Sequence, residues 1–176
     1  MKIKNISELD RKSVEDFKQS EKFPLVVVLD NVRSMHNVGS IFRSADAFLI
    51  SAILLCGYTP RPPHRDIHKT ALGATETVDW QYWETTTAAV DHLKLEGYRV
   101  FAVEQVEKSI SLQEFSLENT GKMAVIFGNE VSGVDPEVLK SCDRCIEIPQ
   151  FGMKHSLNIS VAVGIVLWEL AGRVPR

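Results

Sequence analysis

Short apolar runs alternate along the chain with segments of helical spacing. The runs at 25–29, 52–56, 99–103, 123–127 and 145–148 are rich in β-branched or large apolar residues and predict buried strands. A weaker sixth candidate spans 78–83. Between them Ile41, Phe42, Ala45, Phe48 and Leu49 recur at helical spacing, and Ala89, Val90 and Leu93 do so after threonines able to cap a helix. Another helix is expected near 7–19. This alternation predicts an α/β fold, a mostly parallel sheet flanked by helices. Asp135 and Pro136 read as the cap and first residue of a helix, so the segment 128–134 leaves a strand and feeds it. Ser156 precedes a last helix that is apolar nearly all round, with Leu157, Val161, Ile165 and Trp168 on one side and Ile159, Val163, Val166 and Leu170 on another. The sheet can cover one side, and a second copy of the chain is the natural cover for the other.

A length of 176 residues with 44% hydrophobic content predicts a single domain with a sizeable core. The charged amino end carries no apolar run, and the most apolar segment, 157–170, is broken by polar residues well short of the roughly 20 that a membrane span needs. A cytoplasmic protein is expected. Three cysteines, an odd number, predict free thiols. Cys142 and Cys145 match C-x-x-C, but no second ligand pair accompanies them, so structural thiols are expected and no metal. The net charge of -3 counts against a protein that coats nucleic acid by bulk electrostatics. Any such contact must be local. The best candidate is a basic loop holding Arg61, His64, Arg65, His68 and Lys69, and a second is Lys2, Lys4, Arg11 and Lys12. His64 and His68 have metal-ligand spacing without a third ligand beyond Asp66. Trp80, Tyr82 and Trp83 could stack on bases, although packing at alternating strand positions is the commoner fate.

In open α/β sheets ligands sit beyond the carboxyl ends of the strands, and three strand-end segments there carry chemistry. Asn37-Val-Gly-Ser-Ile-Phe-Arg43 opens a helix that Asn37 can cap, with Gly39 one turn before Arg43 and leaving room for a ligand beside its guanidinium. In Gly128-Asn-Glu-Val-Ser-Gly133 two glycines permit close backbone approach and Glu130 sits in the turn. Ile148-Pro-Gln-Phe-Gly152 is followed by Ser156-Leu-Asn-Ile-Ser160, which gathers hydroxyl and amide groups at a helix amino terminus.

Singly each segment reads as a cap or a turn. Together and in order they resemble the SpoU branch of the SPOUT superfamily, with its N-x-G-x-x-x-R, G-N-E-x-x-G and I-P-x-x-G…S-L-N-x-S-x-A motifs, over the chain from about Pro24 to its carboxyl end. The resemblance implies an S-adenosylmethionine-dependent RNA methyltransferase acting on a ribose 2'-hydroxyl. It implies a carboxyl-terminal deep trefoil knot over roughly 123–176, a helical extension over 1–22, and dimerisation through the knot. Gly128, Ile148 and Leu157, with Gly133 and Gly152, are the implied cofactor-binding positions. Asn37, Arg43, Glu130, Ser156 and Asn158 match the catalytic positions. Arg43, Arg61, Arg65 and Lys69 are the candidate RNA contacts.

Methyl transfer from a sulfonium is an in-line displacement, for which the protein must align and activate the hydroxyl. The resemblance offers Arg43 as general base, but a guanidinium with a pKa above about 12 accepts protons poorly. Gripping a neighbouring phosphate and stabilising developing alkoxide, with Glu130 or Asn37 orienting the guanidinium, is an equally physical role. Rival readings are a SPOUT methyltransferase acting on a base, an rRNA ribose methyltransferase, and a non-catalytic RNA-binding homologue; tRNA is the favoured substrate, because only some twenty residues precede the first strand. A nicotinamide dehydrogenase is disfavoured, since no G-x-G-x-x-G follows that strand.

Overall fold

The computed structural model describes residue 5 and residues 12–116, 121–154 and 156–172. Its centre is β1 (Phe23–Asp30), whose Leu25 to Asp30 are all buried. A run this apolar needs cover on both faces, and the period of two divides it: Leu25, Val27 and Leu29 enter one core, Val26 and Val28 the other. The remaining strands are β2 (Ile50–Cys56), β3 (Asp79–Trp83), β4 (Arg99–Val103), β5 (Ile110–Ser111), β6 (Met123–Phe127) and β7 (Arg144–Glu147). All pairings are parallel, in the order β3-β2-β1-β6-β4-β7-β5. The expected α/β class and all six strand candidates are present, with bounds shifted by up to two residues. β5, two residues long, was too short to show any period.

The larger core lies under α2 (Met35–Ala47), α3 (Arg65–Ala71) and α7 (Ile159–Gly172), and the smaller under α5 (Thr86–Leu95) and α6 (Pro136–Lys140). Two short helices, α1 (Val14–Gln19) and α4 (Ala74–Thr77), complete the layer over β2 and β3. α1 covers the carboxyl half of the helix expected near 7–19, and residues 7–11 of that expectation, with Lys2, Lys4 and Arg11, lie outside the described residues. Thr85 caps α5 and Asp135 caps α6 with Pro136 at its first position, both as the sequence predicts.

Three local expectations are corrected. Ser34, not Asn37, caps α2, its hydroxyl accepting from the Asn37 N–H at 3.2 Å; Asn37 is thereby inside the first turn, and its side chain is left for other work. Gly39 faces protein rather than a ligand: a Cβ there would stand 2.1 Å from Thr70 Oγ1 and 2.3 Å from the Ile67 carbonyl, so its missing side chain lets α2 and α3 meet. The basic segment after β2 is not a loop throughout, because Arg65, His68 and Lys69 lie on α3 and His64 caps it, Nδ1 accepting from the Asp66 N–H at 3.2 Å.

The last helix divides as its pattern suggests except at its start, where Ser156 and Leu157 stay outside α7 (Ile159–Gly172) because Asn158 caps it. Ile159, Val163, Val166, Leu167 and Leu170 are buried against the sheet and α2, while Val161, Ile165 and Trp168 stay 50%, 37% and 67% exposed. Among the described residues no helix is long and apolar enough to cross a membrane. The thiols are free. Burial pushes Cys142 up to about 12 and raises Cys145, so neither is a ready nucleophile.

Candidate functional site

The chain turns from β1 outward to β2 and β3, then crosses back, with β6 filling the place between β1 and β4. At such a reversal the strand-end loops diverge and leave a crevice. Here it is a cleft of about 740 Å³ beyond the carboxyl ends of β4, β6 and β7, lined by the apolar Val103, Phe127, Ile148 and Leu157 and by Glu104, Glu130 and Glu147.

Its mouth is held by one chain of side-chain hydrogen bonds. Glu130 follows β6, and its carboxylate accepts from the backbone N–H of Arg33 at 2.9 Å and of Ser34 at 3.1 Å, and from Asn37 Nδ2 at 3.0 Å. Asn37 Oδ1 in turn accepts from Asn158 Nδ2 at 3.2 Å. Asn158 Oδ1 then accepts from the N–H and hydroxyl of Ser160, which makes it the residue that starts α7. Residues from all three sequence motifs thus meet at one place. Partial burial pushes the Glu130 carboxyl up, but the hydrogen bonds from Arg33, its own N–H, Asn37 and Ser34 outweigh it and hold the group below its ordinary value of 4.5.

A lowered carboxylate contributes stability that is fully present above its unfolded value and lost as pH falls through its folded one. Glu130→Gln is therefore expected to lower the melting temperature by a constant amount above about pH 6, with the gap to wild type closing below about pH 4.5. A gap independent of pH in calorimetric scans would remove the carboxylate charge from this account.

Support for the site comes from residues the sequence analysis left unassigned. Asp30, buried at the end of β1, accepts from the Thr86 hydroxyl at 2.5 Å, Asn31 Nδ2 at 2.9 Å and the Asp135 N–H at 2.8 Å, tying α5 and α6 to the sheet. Asn129, also buried, accepts from the N–H groups of Val131 and Ser132 and donates to the Asn31 carbonyl and the Tyr58 hydroxyl, so all its polar capacity is used. Glu104 accepts from the Val134 N–H at 3.1 Å under the same loop. Their only sequence signal is a polar residue at the end of an apolar strand.

Of the expected cofactor positions, Gly128, Gly133, Ile148 and Leu157 line the cleft, as do Ser156 and Asn158. The structure does not bring Gly152 or Arg43 into it. Gly152 is exposed with open space around it. Arg43 is exposed on α2 and, among the described residues, makes no hydrogen bond or ion pair. Arg61 is exposed, its guanidinium 4.1 Å from the Tyr82 ring centroid, and Arg65 is exposed on α3. Lys69 is paired with Asp66 at 2.7 Å. Trp80 and Trp83 pack on opposite faces of β3, while Tyr82 is 41% exposed. Among the described residues no cluster of His, Cys, Asp and Glu could hold a metal ion.

The cleft suits a cationic, partly flat cofactor. Its size is that of small-molecule sites, and Glu104, Glu130 and Glu147 are among its lining residues. Among the described residues the backbone groups of Ile148, Gln150 and Leu157 form no hydrogen bonds, which leaves them free along the wall for a heterocycle edge.

Comparison with known proteins agrees with this geometry. The chain matches the SpoU rRNA Methylase family over residues 24–168. It is 30% identical over 168 residues to the 23S rRNA (guanosine-2'-O-)-methyltransferase RlmB of Vibrio vulnificus, covering 96% of this chain and 67% of that one. It is 31% identical over 152 residues to the tRNA (guanosine(18)-2'-O)-methyltransferase of Borreliella burgdorferi, covering 86% and 68%. The crystal structure of the A. aeolicus TrmH/SpoU tRNA modifying enzyme superposes with a TM-score of 0.79 at 28% identity, covering 91% of this chain and 79% of that one. The AdoMet-bound rRNA methyltransferase of Sinorhizobium meliloti does so with 0.80 at 26%, covering 94% and 62%. With three motifs, one cleft and a family match from Pro24 to Trp168, the chain belongs to the SpoU methylase family.

Proposed function

We propose that this chain is an S-adenosylmethionine-dependent RNA methyltransferase that methylates a ribose 2'-hydroxyl, with tRNA as substrate. The observation that carries the reading is the Glu130–Asn37–Asn158 chain at the mouth of the cleft. Relatives named as tRNA (guanosine(18)-2'-O)-methyltransferases support tRNA.

Bound S-adenosylmethionine supplies the electrophilic methyl group. Gly128, Ile148 and Leu157 hold it through backbone groups, with Gly133 shaping the loop, and the carboxylates of the cleft complement its positive charge. Glu130 and Asn37 fix the cleft mouth against α2, and Asn158 and Ser156 present amide and hydroxyl groups where the ribose enters. Holding the two reactants in line supplies roughly 7–11 kcal/mol of the barrier. Arg43 binds the neighbouring phosphate and stabilises the developing alkoxide.

Because Arg43 is off the cleft of its own chain, the reading includes a homodimer in which this residue serves the partner's cleft. The exposed stripe of Val161, Ile165 and Trp168, on a helix packed against α2, supports it. So does the family resemblance, which also supports a carboxyl-terminal knot in one domain, in the cytoplasm.

The test is nucleoside mass spectrometry of separated tRNA and rRNA from a strain lacking the gene, before and after incubation with the protein and S-adenosylmethionine. A 2'-O-methylated nucleoside missing from the tRNA and restored by the protein is expected. Restoration in rRNA alone would move the substrate, and restoration of a base methylation would overturn the chemistry.

A further inference from the structure

Beside the cleft stands an aromatic residue oriented the wrong way for packing. Tyr58 follows β2 and Gly57, whose φ of +62° turns the chain out of the sheet. Tyr58 is 62% exposed, yet it is pinned at both ends. Its backbone N–H donates to Asn31 Oδ1 at 3.2 Å, and its hydroxyl accepts from Asn129 Nδ2 at 2.8 Å. A tyrosine that serves the core buries its ring and leaves its hydroxyl at the wet end. Here the hydroxyl faces protein and the ring faces solvent, which forgoes the free energy of burying that surface. What the arrangement does provide is a flat apolar face in a fixed orientation.

That orientation is locked to the site. Asn129, which holds the hydroxyl, also accepts from Val131 and Ser132, and so sets the turn that carries Glu130. Two exposed guanidinium groups belong to the adjoining segments: Arg61, three residues after Tyr58, lies over the Tyr82 ring, and Arg33, two residues after Asn31, gives its backbone N–H to Glu130. A pinned aromatic face beside guanidinium groups is the arrangement by which proteins hold single-stranded nucleic acid, bases on the ring and phosphates on the cations.

We propose that Tyr58 is a stacking platform for an unpaired RNA base next to the nucleotide being methylated, with Arg61 and Arg33 on the flanking phosphates. The inference rests on the RNA methyltransferase reading and names a binding contact within it. A ring already held by the hydrogen bond to its hydroxyl loses little freedom when a base settles on it. Stacking also tolerates any base, so Tyr58 contributes affinity and placement rather than sequence choice.

The experiment compares the purified wild-type protein with Tyr58→Phe and Tyr58→Leu, using labelled S-adenosylmethionine and bulk tRNA from a strain lacking the gene. Anisotropy with a fluorescent single-stranded RNA oligonucleotide runs in parallel. Tyr58→Leu is expected to raise KM for tRNA and weaken oligonucleotide binding about tenfold, with kcat and cofactor affinity at wild-type values. Tyr58→Phe, which keeps the ring but gives up the bond from Asn129, is expected to lose less than Tyr58→Leu in binding and KM and to keep wild-type kcat and cofactor affinity. Equal losses in the two variants would assign Tyr58 a structural role through Asn129 and overturn the proposal, as would unchanged binding and KM in Tyr58→Leu. If the wild-type protein transfers methyl to no RNA, the functional reading fails by itself, and the oligonucleotide binding still decides the platform.

Discussion

Arg43→Ala is expected to reduce methyl transfer by about 100- to 1,000-fold while leaving S-adenosylmethionine affinity unchanged. The size is what removal of one preorganised donor to a developing oxyanion costs. The selectivity follows from the proposed role: Arg43 acts on the phosphate and the ribose oxygen rather than on the cofactor, and it lies outside the residues lining the cleft of its own chain. Arg43→Lys restores little, because an ammonium cannot grip a phosphate with two parallel N–H bonds. Trp168→Glu adds a check on how the guanidinium reaches the ribose. Placing a charge on the exposed stripe of α7 should give monomers in light scattering and reproduce the loss of turnover with Arg43 intact. A monomeric Trp168→Glu protein with wild-type turnover would show that Arg43 acts within its own chain or not at all.

The second large effect is expected from Gly128→Ala. A Cβ at Gly128 would stand 2.1 Å from the Gly133 carbonyl carbon and 2.2 Å from the Val134 nitrogen. Both are backbone atoms, so no rotamer change can relieve the overlap, and the turn that carries Glu130 must open. Overpacking of this kind costs about 1–3 kcal/mol. Since the same backbone lines the cleft, up to about 100-fold of cofactor affinity should go with it. Titration calorimetry and thermal unfolding read the two losses. Gly152→Ala, whose added methyl group meets nothing within 4 Å, should leave the melting temperature alone. Full cofactor affinity in Gly128→Ala would mean that the loop is softer than its contacts imply.

The sheet was legible because its strands are buried on both faces. Leu25 to Leu29 and Met123 to Phe127 are apolar at every position, and only a covered parallel strand needs that. The motifs were legible as chemistry because three short polar segments interrupt such strands at their carboxyl ends. The roles inside them were less so. Gly39 resembles a ligand-facing glycine in sequence, but its neighbours Ile67 and Thr70 come from α3, and nothing local announces that helix contact. Asn37 reads as a cap because it opens the motif, but Ser34, three residues earlier, takes that role by accepting from the Asn37 N–H. Arg43 shares a motif with Asn37 yet lies off the cleft, because six residues of helix turn it away from Asn37. Asp30, Asn129 and Tyr58 went unassigned since their partners are 27 to 105 residues distant in the chain.

The hydrogen bond from Asn158 to Asn37 spans 121 residues, and it joins the first crossover helix to the start of the last one. During synthesis the amino-terminal strands and α2 emerge first, and both Asn37 and Glu130 precede Asn158 in the chain. One wall of the cleft, with Leu157 and Ile159, is still missing at that point. A nascent chain therefore has a half-built pocket that cannot retain the cofactor, and competence to react arrives in a single step when the final helix docks.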